Sequence, residues 1–404
     1  MRIAKYDTGA TTEFLTLTPE QLERHLYVIG KTGAGKSTLL ENLALQLIED
    51  DAGLIYIDPH GPSAARIIDA IPSRRTRHTC YLKATDHTPV GFNPMAAVDA
   101  ANHFSVAASI VSAMHHVWHA SWGPRLEWFL LNAIHLCIAN NRTLADVPRL
   151  FSNPRLRDKL TSHIVDAGLQ AFWRDEFPAY PLKYIDEAKG PLLNKVGQFP
   201  ASPHVRSIIT QERPVLDIQR VMDEGRLLIV NLDKGRLGDH AQLLGSLLVS
   251  HIDHLAMQRA ENATPCYVFI DEFSTFGSTV FARMLSEIRK YVRLVLAHQF
   301  ISQVHESVRD SILGNVGSTV TFAVVPWMRR SLHHCTTPRR STTSPIASRS
   351  KPGPGFHHVS VRSTSTLSPT NRFTAAMRRP SSRNPGSGSA ASVAATPRRQ
   401  AAVH

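Results

Sequence analysis

Residues 26–38 read Leu26-Tyr-Val-Ile-Gly-Lys-Thr-Gly-Ala-Gly-Lys-Ser-Thr38, an apolar run followed at once by a glycine-rich segment. From Gly30 onward the segment matches the pattern G-x-x-x-x-G-K-[ST], in which a strand turns sharply into a helix. Leucines recur at helical spacing between positions 39 and 47, as an amphipathic helix requires. The stretch therefore predicts a P-loop, and a simple glycine turn is the weaker alternative.

The chemistry of this P-loop is phosphate binding. Glycines at 30, 33 and 35 let successive backbone N–H groups face phosphate oxygens, and the positive end of the following helix points the same way. Lys36 is expected to reach the β- and γ-phosphates of ATP, and the Ser37 hydroxyl to bind Mg²⁺. The predicted nucleotide-binding residues are Gly30, Lys31, Thr32, Gly33, Ala34, Gly35, Lys36, Ser37 and Thr38.

A second motif reads Cys266-Tyr-Val-Phe-Ile-Asp271-Glu272, an apolar run that ends in two adjacent carboxylates. Such a run suits a Walker B strand. Asp271 is then predicted to hold Mg²⁺, through water, and Glu272 to polarise the attacking water. Alone, the run would equally suit an ordinary strand end. Its pairing with the P-loop favours the catalytic interpretation.

Two weaker signals lie between the second motif and residue 300. Gln299 ends the predicted strand that begins at Leu294, where its amide would sense the γ-phosphate or orient the water. The alternative is a polar residue that merely ends a strand, and the adjacent His298 is predicted to be a packing residue. A helix predicted from Val280 to Tyr291 carries Arg283 and Arg289. Either arginine would serve a neighbouring subunit as an arginine finger, or both would lie on a solvated basic helix face.

The fold class follows from buried runs of strand length, bounded by Gly, Asp or Asn and separated by helical patterns. Such runs are typical of strands covered on both faces of a parallel sheet, which predicts an α/β core. The runs are 25–30, 53–58, 226–232, 266–271, 294–299 and 318–324. Residues 98–215 read mainly as helix and are predicted to be an all-α insertion, with ordinary helices packed on the sheet as the alternative.

The charge of +12 in 404 residues is not spread evenly. Residues 327–404 contain thirteen Lys and Arg and no Asp or Glu, leaving 32 basic against 33 acidic residues in the first 326. This tail is rich in Ser, Thr, Pro and Arg, and we predict that it is disordered. Its basic pairs would bind nucleic acid loosely or simply be solvated.

Four cysteines, Cys80, Cys137, Cys266 and Cys335, lie far apart and are predicted to be reduced thiols, mainly buried. The amino terminus lacks an apolar signal region, and no run approaches the roughly 18 apolar residues that a membrane span needs. These features predict a cytoplasmic protein without a transmembrane segment.

The chain resembles the HerA/FtsK superfamily, especially the coupling ATPases of conjugative type IV secretion (TraG/TraD-like), over roughly residues 20–324. The motifs that carry the resemblance are His25-Leu-Tyr-Val-Ile-Gly-Lys-Thr-Gly-Ala-Gly-Lys-Ser37, Ile57-Asp-Pro-His-Gly61, Gly91-Phe-Asn-Pro94, Trp122-Gly-Pro-Arg-Leu-Glu127, Asn194-Lys-Val-Gly-Gln198, Asp271-Glu-Phe273, Leu285-Ser-Glu-Ile-Arg-Lys-Tyr291, Ala297-His-Gln299 and Gly314-Asn-Val-Gly317. The resemblance implies a RecA-like motor with a helical insertion, assembled as a hexameric ring that moves DNA or a protein–DNA complex through its channel. It also implies that ATP binds between subunits, with Arg289 acting in trans.

This resemblance gives a predicted division of the chain: a lead-in (1–24), the first part of the RecA-like core (25–97), the insertion (98–215), the second part of the core (216–325) and the tail (326–404). Coupling proteins of the membrane-bound kind carry amino-terminal transmembrane helices, whereas here the P-loop begins at residue 30. The tail also departs from the family pattern, because acidic residues and periodicity stop together near Pro326. We state as a hypothesis that the tail results from a shifted reading frame.

The function expected from these features is an ATP-hydrolysing DNA translocase of the coupling-protein type, with largely sequence-independent DNA contacts. Secretion or relaxosome proteins are expected partners, and they would hold the protein at the inner membrane. One alternative is a soluble HerA-like ATPase that serves DNA repair or defence. Another is a truncated or regulatory protein that binds ATP without turnover. An ABC transporter ATPase is disfavoured because no LSGGQ-like segment is present.

Overall fold

The computed structural model describes residues 1–7, 12–96, 98–197, 201–260, 263–277, 279–322, 356–363 and 373–378. The strands are β1 Arg2–Asp7, β2 Thr12–Thr16, β3 Leu26–Ile29, β4 Gly53–Asp58, β5 Thr79–Lys83, β6 Leu227–Asn231, β7 Cys266–Ile270, β8 Val292–His298, β9 Ser318–Thr321, β10 Phe356–Ser363 and β11 Phe373–Arg378. The helices are α1 Pro19–Leu22, α2 Lys36–Glu49, α3 Pro62–Asp69, α4 His103–Trp118, α5 Pro124–Ala139, α6 Val147–Ser152, α7 Pro154–Thr161, α8 Ala167–Gln170, α9 Phe177–Ala179, α10 Leu182–Val196, α11 Pro203–Ile209, α12 Ile218–Asp223, α13 Lys234–Leu237, α14 Asp239–Ala256, α15 Thr279–Glu287 and α16 Glu306–Asn315. A π-helical turn, Ala171–Glu176, joins α8 to α9.

Within the described ranges, the main sheet has the strand order β11-β10-β9-β3-β8-β7-β4-β6-β5. The strands from β9 to β5 in this order all pair in parallel, while β10 and β11 continue the sheet antiparallel. A separate hairpin consists of β1 and β2. The predicted α/β fold with a mainly parallel sheet is therefore confirmed.

The inner parallel strands β3, β4, β6 and β7 bury both of their faces, as their uninterrupted apolar sequences predict. In β4, Ile55 and Ile57 join one apolar cluster, which also contains residues of α4, α5 and α14. Leu54 and Tyr56 face the other way and join a second cluster with residues of α2 and α3. Alternation along the strands thus produces two cores, and the P-loop helix packs in the second.

Helices α4 to α11 lie between β5 and β6 in the chain, inside the segment predicted to be helical. Their apolar side chains belong to the same cluster as one face of the sheet. The bundle and that sheet face therefore share a core. The division of the chain into five parts stays a prediction.

The structure differs from the sequence expectation at three places. Strand β5 was not predicted, because only Leu82 of its five residues is fully buried. The helix predicted to run to Tyr291 ends at Glu287, since the chain must turn before β8, which begins at Val292 rather than Leu294. Strands β10 and β11 fall in the tail predicted to be disordered, and β10 pairs with β9 through its backbone. The rest of the predicted tail lies outside the described residues.

The cysteines and the helices bear on two further predictions. Cys137 and Cys266 are buried thiols, and burial raises the pKa of Cys266 to about 12. Cys80 is partly buried, and Cys335 lies outside the described residues. None of the helices in the described ranges has both the length and the apolar character needed to cross a bilayer.

Candidate functional site

The P-loop backbone is shaped by two glycines. A Cβ added at Gly30 would lie 2.5 Å from the Cβ of Phe322, so the end of β9 leaves no room for a side chain. Gly35 has φ 104°, a left-handed conformation that L side chains rarely adopt, and it forms the N-cap of α2. The helix then buries Leu39, Leu40 and Leu43 in the second core. The loop is thereby held between a buried strand and a buried helix face.

The strand order explains which residues meet at the carboxyl edge of the sheet. Strand β8 lies between β3 and β7, and β4 lies on the far side of β7. Gln299, which follows β8, is therefore placed between the P-loop and the pair Asp271 and Glu272. Ligands of open α/β sheets bind at this edge.

Ser37 and Asp271 are in direct contact. The Ser37 hydroxyl donates a hydrogen bond of 2.6 Å to Oδ2 of Asp271. The pKa of the Asp271 carboxyl is raised, mainly by burial and also by the negative charges of Glu272 and Asp58. The Ser37 hydrogen bond and the positive charge of Lys36 act in the opposite direction. A hydroxyl and a carboxylate in direct contact are oxygen ligands of the kind that Mg²⁺ prefers, so these two residues fit the predicted metal site.

Lys36 and Glu272 face each other at the carboxyl edge of the sheet. The Lys36 ammonium lies 3.8 Å from Oε1 of Glu272, and the two side chains are only 5% and 13% exposed. Lys36 Nζ also donates to the carbonyl oxygen of Lys31, at 3.4 Å. Both predicted catalytic groups are thus present at the carboxyl edge, with the lysine directed across the P-loop.

Gln299 joins the carboxylate to the P-loop. Its Nε2 donates to Oε1 of Glu272 at 2.8 Å, and its Oε1 accepts from the Thr32 hydroxyl at 2.6 Å. Gln299 therefore links the P-loop at Thr32 to Glu272 through two hydrogen bonds. This is the geometry that a phosphate-sensing amide needs, although its role as a sensor stays a prediction.

Glu272 has an unusual backbone, with φ 47° and ψ 46°. A glutamate in this left-handed region is uncommon and costs conformational energy. The turn is supported by a hydrogen bond of 3.0 Å from the Glu272 N–H to Oδ1 of Asp271. The strained turn directs the Glu272 side chain back over the end of β7, toward Lys36.

His298 lies beneath Gln299 and is completely buried. Its Nε2 shares a hydrogen bond with the Tyr27 hydroxyl, and its ring packs against Phe273 with a centroid separation of 4.9 Å. Burial, with a smaller effect of Lys36, lowers the pKa of His298 to about 3. The imidazole is therefore neutral, and the structure places His298 among packing residues.

Asp58 ends β4 and holds the start of α3. Its carboxylate accepts hydrogen bonds from the backbone N–H groups of His60, Ser63 and Ala64 at 2.8 to 3.0 Å. The His60 side chain is exposed. These contacts favour a structural role for the segment 58–61.

The two candidate arginines lie away from the P-loop. Arg283 is paired with the buried Asp253 of α14. Arg289 is exposed and lies before β8, so the seven residues Val292–His298 separate it from Gln299 by roughly 20 Å. Within the described residues, the Arg289 guanidinium has no hydrogen-bond or ion-pair partner. The structure of one chain thus does not bring Arg289 to the site, and its action in trans stays a prediction.

A cavity of about 300 Å³ lies beside Phe273, between the loops that follow β7 and β8. It is lined by His116, Phe273, Ser274, Gly277, Ser302, Gln303, Val304 and His305. Because His116 belongs to α4, the helical segment contacts the loop that carries Glu272. Burial is the main cause that lowers the pKa of His116.

Comparison with known proteins agrees with this geometry. Residues 8–62 match the family model described as helicase HerA, central domain. The predicted HerA/FtsK resemblance is confirmed. A search of curated proteins finds no significant match.

Solved structures share the fold over most of the chain. The bacterial conjugative coupling protein TrwBdeltaN70, in an unbound monoclinic form, is 18% identical, with 89% of this chain and 78% of that chain covered at a TM-score of 0.55. The plasmid coupling protein TrwB in complex with ADP and Mg²⁺ is 17% identical, with 89% and 79% covered and a TM-score of 0.54. VirB4 of Thermoanaerobacter pseudethanolicus is 13% identical, with 83% and 87% covered and a TM-score of 0.57. The chain therefore shares the fold of the coupling protein TrwB and of VirB4.

Two contributors to the site were missed in the sequence. Phe322 packs on Gly30 and Gly35. It directly follows β9, and the sequence predicted only that this segment is a strand. The Tyr27 hydroxyl is hydrogen-bonded to His298. Tyr27 lies on the face of β3 opposite to Leu26 and Val28, which pack with the P-loop helix. The period-2 alternation of β3 would have placed Tyr27 on the face opposite that helix.

Proposed function

We propose that this chain is an ATPase that couples ATP hydrolysis to DNA translocation, as a member of the coupling-protein type. The observation that carries the proposal is the convergence of Ser37 with Asp271, and of Lys36 and Gln299 with Glu272, at one edge of the sheet. This set supplies a metal-binding pair, a cation for phosphate, a carboxylate for water and an amide that joins them.

In the proposed mechanism, P-loop backbone N–H groups and Lys36 hold the triphosphate of ATP. Ser37 and Asp271 would hold Mg²⁺, which supplies positive charge to the phosphates when bound. Glu272 accepts a hydrogen bond from the attacking water and orients it toward the γ-phosphate. Gln299 keeps the Glu272 carboxylate directed at that water. Water then adds to phosphorus as the bond to the ADP oxygen breaks, and its proton passes to the Glu272 carboxylate and on to solvent, giving ADP and phosphate.

The assembly proposed is a hexameric ring in which ATP lies between subunits. Arg289, exposed and without a partner within the described residues, would then reach the neighbouring subunit's nucleotide and stabilise charge in the transition state. DNA would pass through the ring and be held mainly through phosphates, independently of sequence. Secretion or relaxosome proteins are proposed partners, and they would hold the protein at the inner membrane.

A second candidate is a HerA-like ATPase that serves DNA repair or defence. The match of residues 8–62 to the HerA central domain favours it, because that match is to HerA rather than to a coupling protein. The two candidates share the same chemistry. They differ in whether the gene neighbours encode relaxase and pilus proteins or nucleases.

The test is phosphate release by the full chain, alone and with single- or double-stranded DNA, beside the Glu272→Gln variant. We expect DNA to stimulate release and the variant to lose it by at least about a hundredfold. Nucleotide binding without release, with or without DNA, would overturn the proposal and favour a regulatory or truncated ATP-binding protein.

A further inference from the structure

We infer that the Thr32 hydroxyl is a positioning group, which anchors the Gln299 amide by a second hydrogen bond and so keeps its N–H on Glu272. The inference rests on the proposed ATPase function. It concerns a side chain that the P-loop pattern leaves unspecified, since position 32 is one of the four variable residues between Gly30 and Gly35.

The geometry is a chain of two hydrogen bonds. Thr32 Oγ1 lies 2.6 Å from Gln299 Oε1, and Gln299 Nε2 lies 2.8 Å from Glu272 Oε1. Glu272 is largely buried and also faces Lys36 at 3.8 Å. The amide therefore bridges an exposed P-loop hydroxyl and a largely buried carboxylate.

The carboxylate of Glu272 determines which groups donate and which accept in these two hydrogen bonds. An ionised carboxylate only accepts, so Gln299 must present its NH₂ group to Glu272 and its carbonyl oxygen to Thr32. The Thr32 hydroxyl is then the donor. Rotation of the amide by 180° would set two oxygens against each other at Glu272 and would leave the hydroxyl facing NH₂.

The backbone that leads into Gln299 is held in the sheet. His298 is fixed in the core by Tyr27 and Phe273, and β8 pairs in parallel with both β3 and β7. Backbone pairing in the sheet does not hold the amide group itself, which depends on its own two hydrogen bonds. The terminal side-chain torsion of glutamine is broad and nearly two-fold. The acceptor-only carboxylate of Glu272 determines which of the two orientations is adopted, and the Thr32 hydroxyl holds that orientation by a second hydrogen bond.

This arrangement predicts that Thr32 acts on turnover rather than on nucleotide affinity. The backbone N–H of residue 32, which belongs to the predicted phosphate cradle, is kept in any substitution except proline. Loss of the hydroxyl alone should therefore leave nucleotide binding unchanged. It should lower kcat, because the amide that holds Glu272 loses its second hydrogen bond and is positioned less firmly.

The experiment compares Thr32→Val, which keeps the shape, with Thr32→Ser, which keeps the hydroxyl. We expect Thr32→Val to lower kcat about fivefold with an unchanged dissociation constant for ADP, as loss of one hydrogen bond predicts, and Thr32→Ser to stay near the parent value. Gln299→Ala combined with Thr32→Val should be no slower than Gln299→Ala alone, since Thr32 acts only through the amide. Additive losses, or a weaker affinity for ADP with kcat unchanged, would overturn the inference.

A second readout separates this inference from the proposed function. In protein labelled with ¹⁵N-glutamine, the side-chain NH₂ signals of Gln299 are identified by their loss in Gln299→Ala. We expect these signals to move in Thr32→Val and to stay in Thr32→Ser, whether or not the protein turns over ATP. If the parent protein shows no turnover, the proposed function fails while the Thr32 contact is still tested. Unmoved signals in Thr32→Val would refute the contact itself.

Discussion

Replacing Glu272 with glutamine should strengthen the binding of a non-hydrolysable ATP analogue while it removes turnover. Lys36 lies 3.8 Å from Glu272, and both side chains are largely shielded from water. Any phosphate that Lys36 binds must share the ammonium with this carboxylate. The substitution keeps the side-chain length and removes the competing negative charge.

The magnitude can be worked from that distance. Two unit charges 3.8 Å apart attract by roughly 4 kcal/mol at an effective dielectric constant near 20. The desolvation of both groups offsets most of this attraction, so that a net value of about 1 kcal/mol is a reasonable expectation. We therefore expect the dissociation constant of the analogue to fall about fivefold in Glu272→Gln.

The assay is calorimetric titration with the analogue and Mg²⁺, with Glu187→Gln as the matched control. Glu187 lies in α10 and pairs with Arg125, away from the P-loop, so the same chemical change there should leave affinity unchanged. The reasoning is refuted if Glu272→Gln binds the analogue more weakly than the parent protein, or if the two variants behave alike.

Three further changes have definite expected outcomes. Gly30→Ala should lower the free energy of unfolding by about 1–3 kcal/mol and abolish nucleotide binding, because its Cβ would lie 2.5 Å from another Cβ. Gly314→Ala, which meets no atom within 4 Å, is the control in urea unfolding. Arg283→Ala removes the partner of the buried Asp253, whose pKa burial raises and Arg283 lowers. The pKa of Asp253 then rises further, so the folded state holds its proton more tightly, and the loss of about 1–2 kcal/mol at pH 7 should shrink as the pH falls toward the unfolded pKa. An equal loss at pH 7 and pH 4 would contradict this assignment. Ser37→Ala should raise the Mg²⁺ concentration needed for half-maximal phosphate release, whereas Ser37→Thr keeps the hydroxyl and should not, as a Mg²⁺ titration will show.

The strands of the central sheet could be predicted because burial on both faces leaves a continuous apolar run. The six predicted runs all correspond to strands, from β3 to β9. Strand β5 escaped this reasoning, since it lies at the edge of the sheet and its sequence, Thr79-Cys-Tyr-Leu-Lys83, is only partly apolar. An edge strand is held mainly by backbone pairing with one neighbour, so its sequence need not contain a continuous apolar run.

The composition of the site could be predicted from motifs, whereas its connections could not. The residues that meet at the carboxyl edge end separate strands, and the sequence does not reveal that β8 lies between β3 and β7. That order alone puts Gln299 within reach of both Thr32 and Glu272. The predicted role of Arg289 cannot be checked within one chain, because the nucleotide that it is expected to contact is bound by another subunit.

The central position of β3, β8 and β7 also has a kinetic consequence. Each of these strands has a parallel neighbour on both sides, so their amides can exchange with solvent only when the middle of the sheet opens. Such openings are among the rarest that a folded domain undergoes. The predicted catalytic residues Asp271, Glu272 and Gln299 therefore follow directly after strands whose amides should be among the slowest to exchange. Hydrogen exchange should therefore find protected amides up to Ile29, Ile270 and His298, with rapid exchange resuming within a few residues of each.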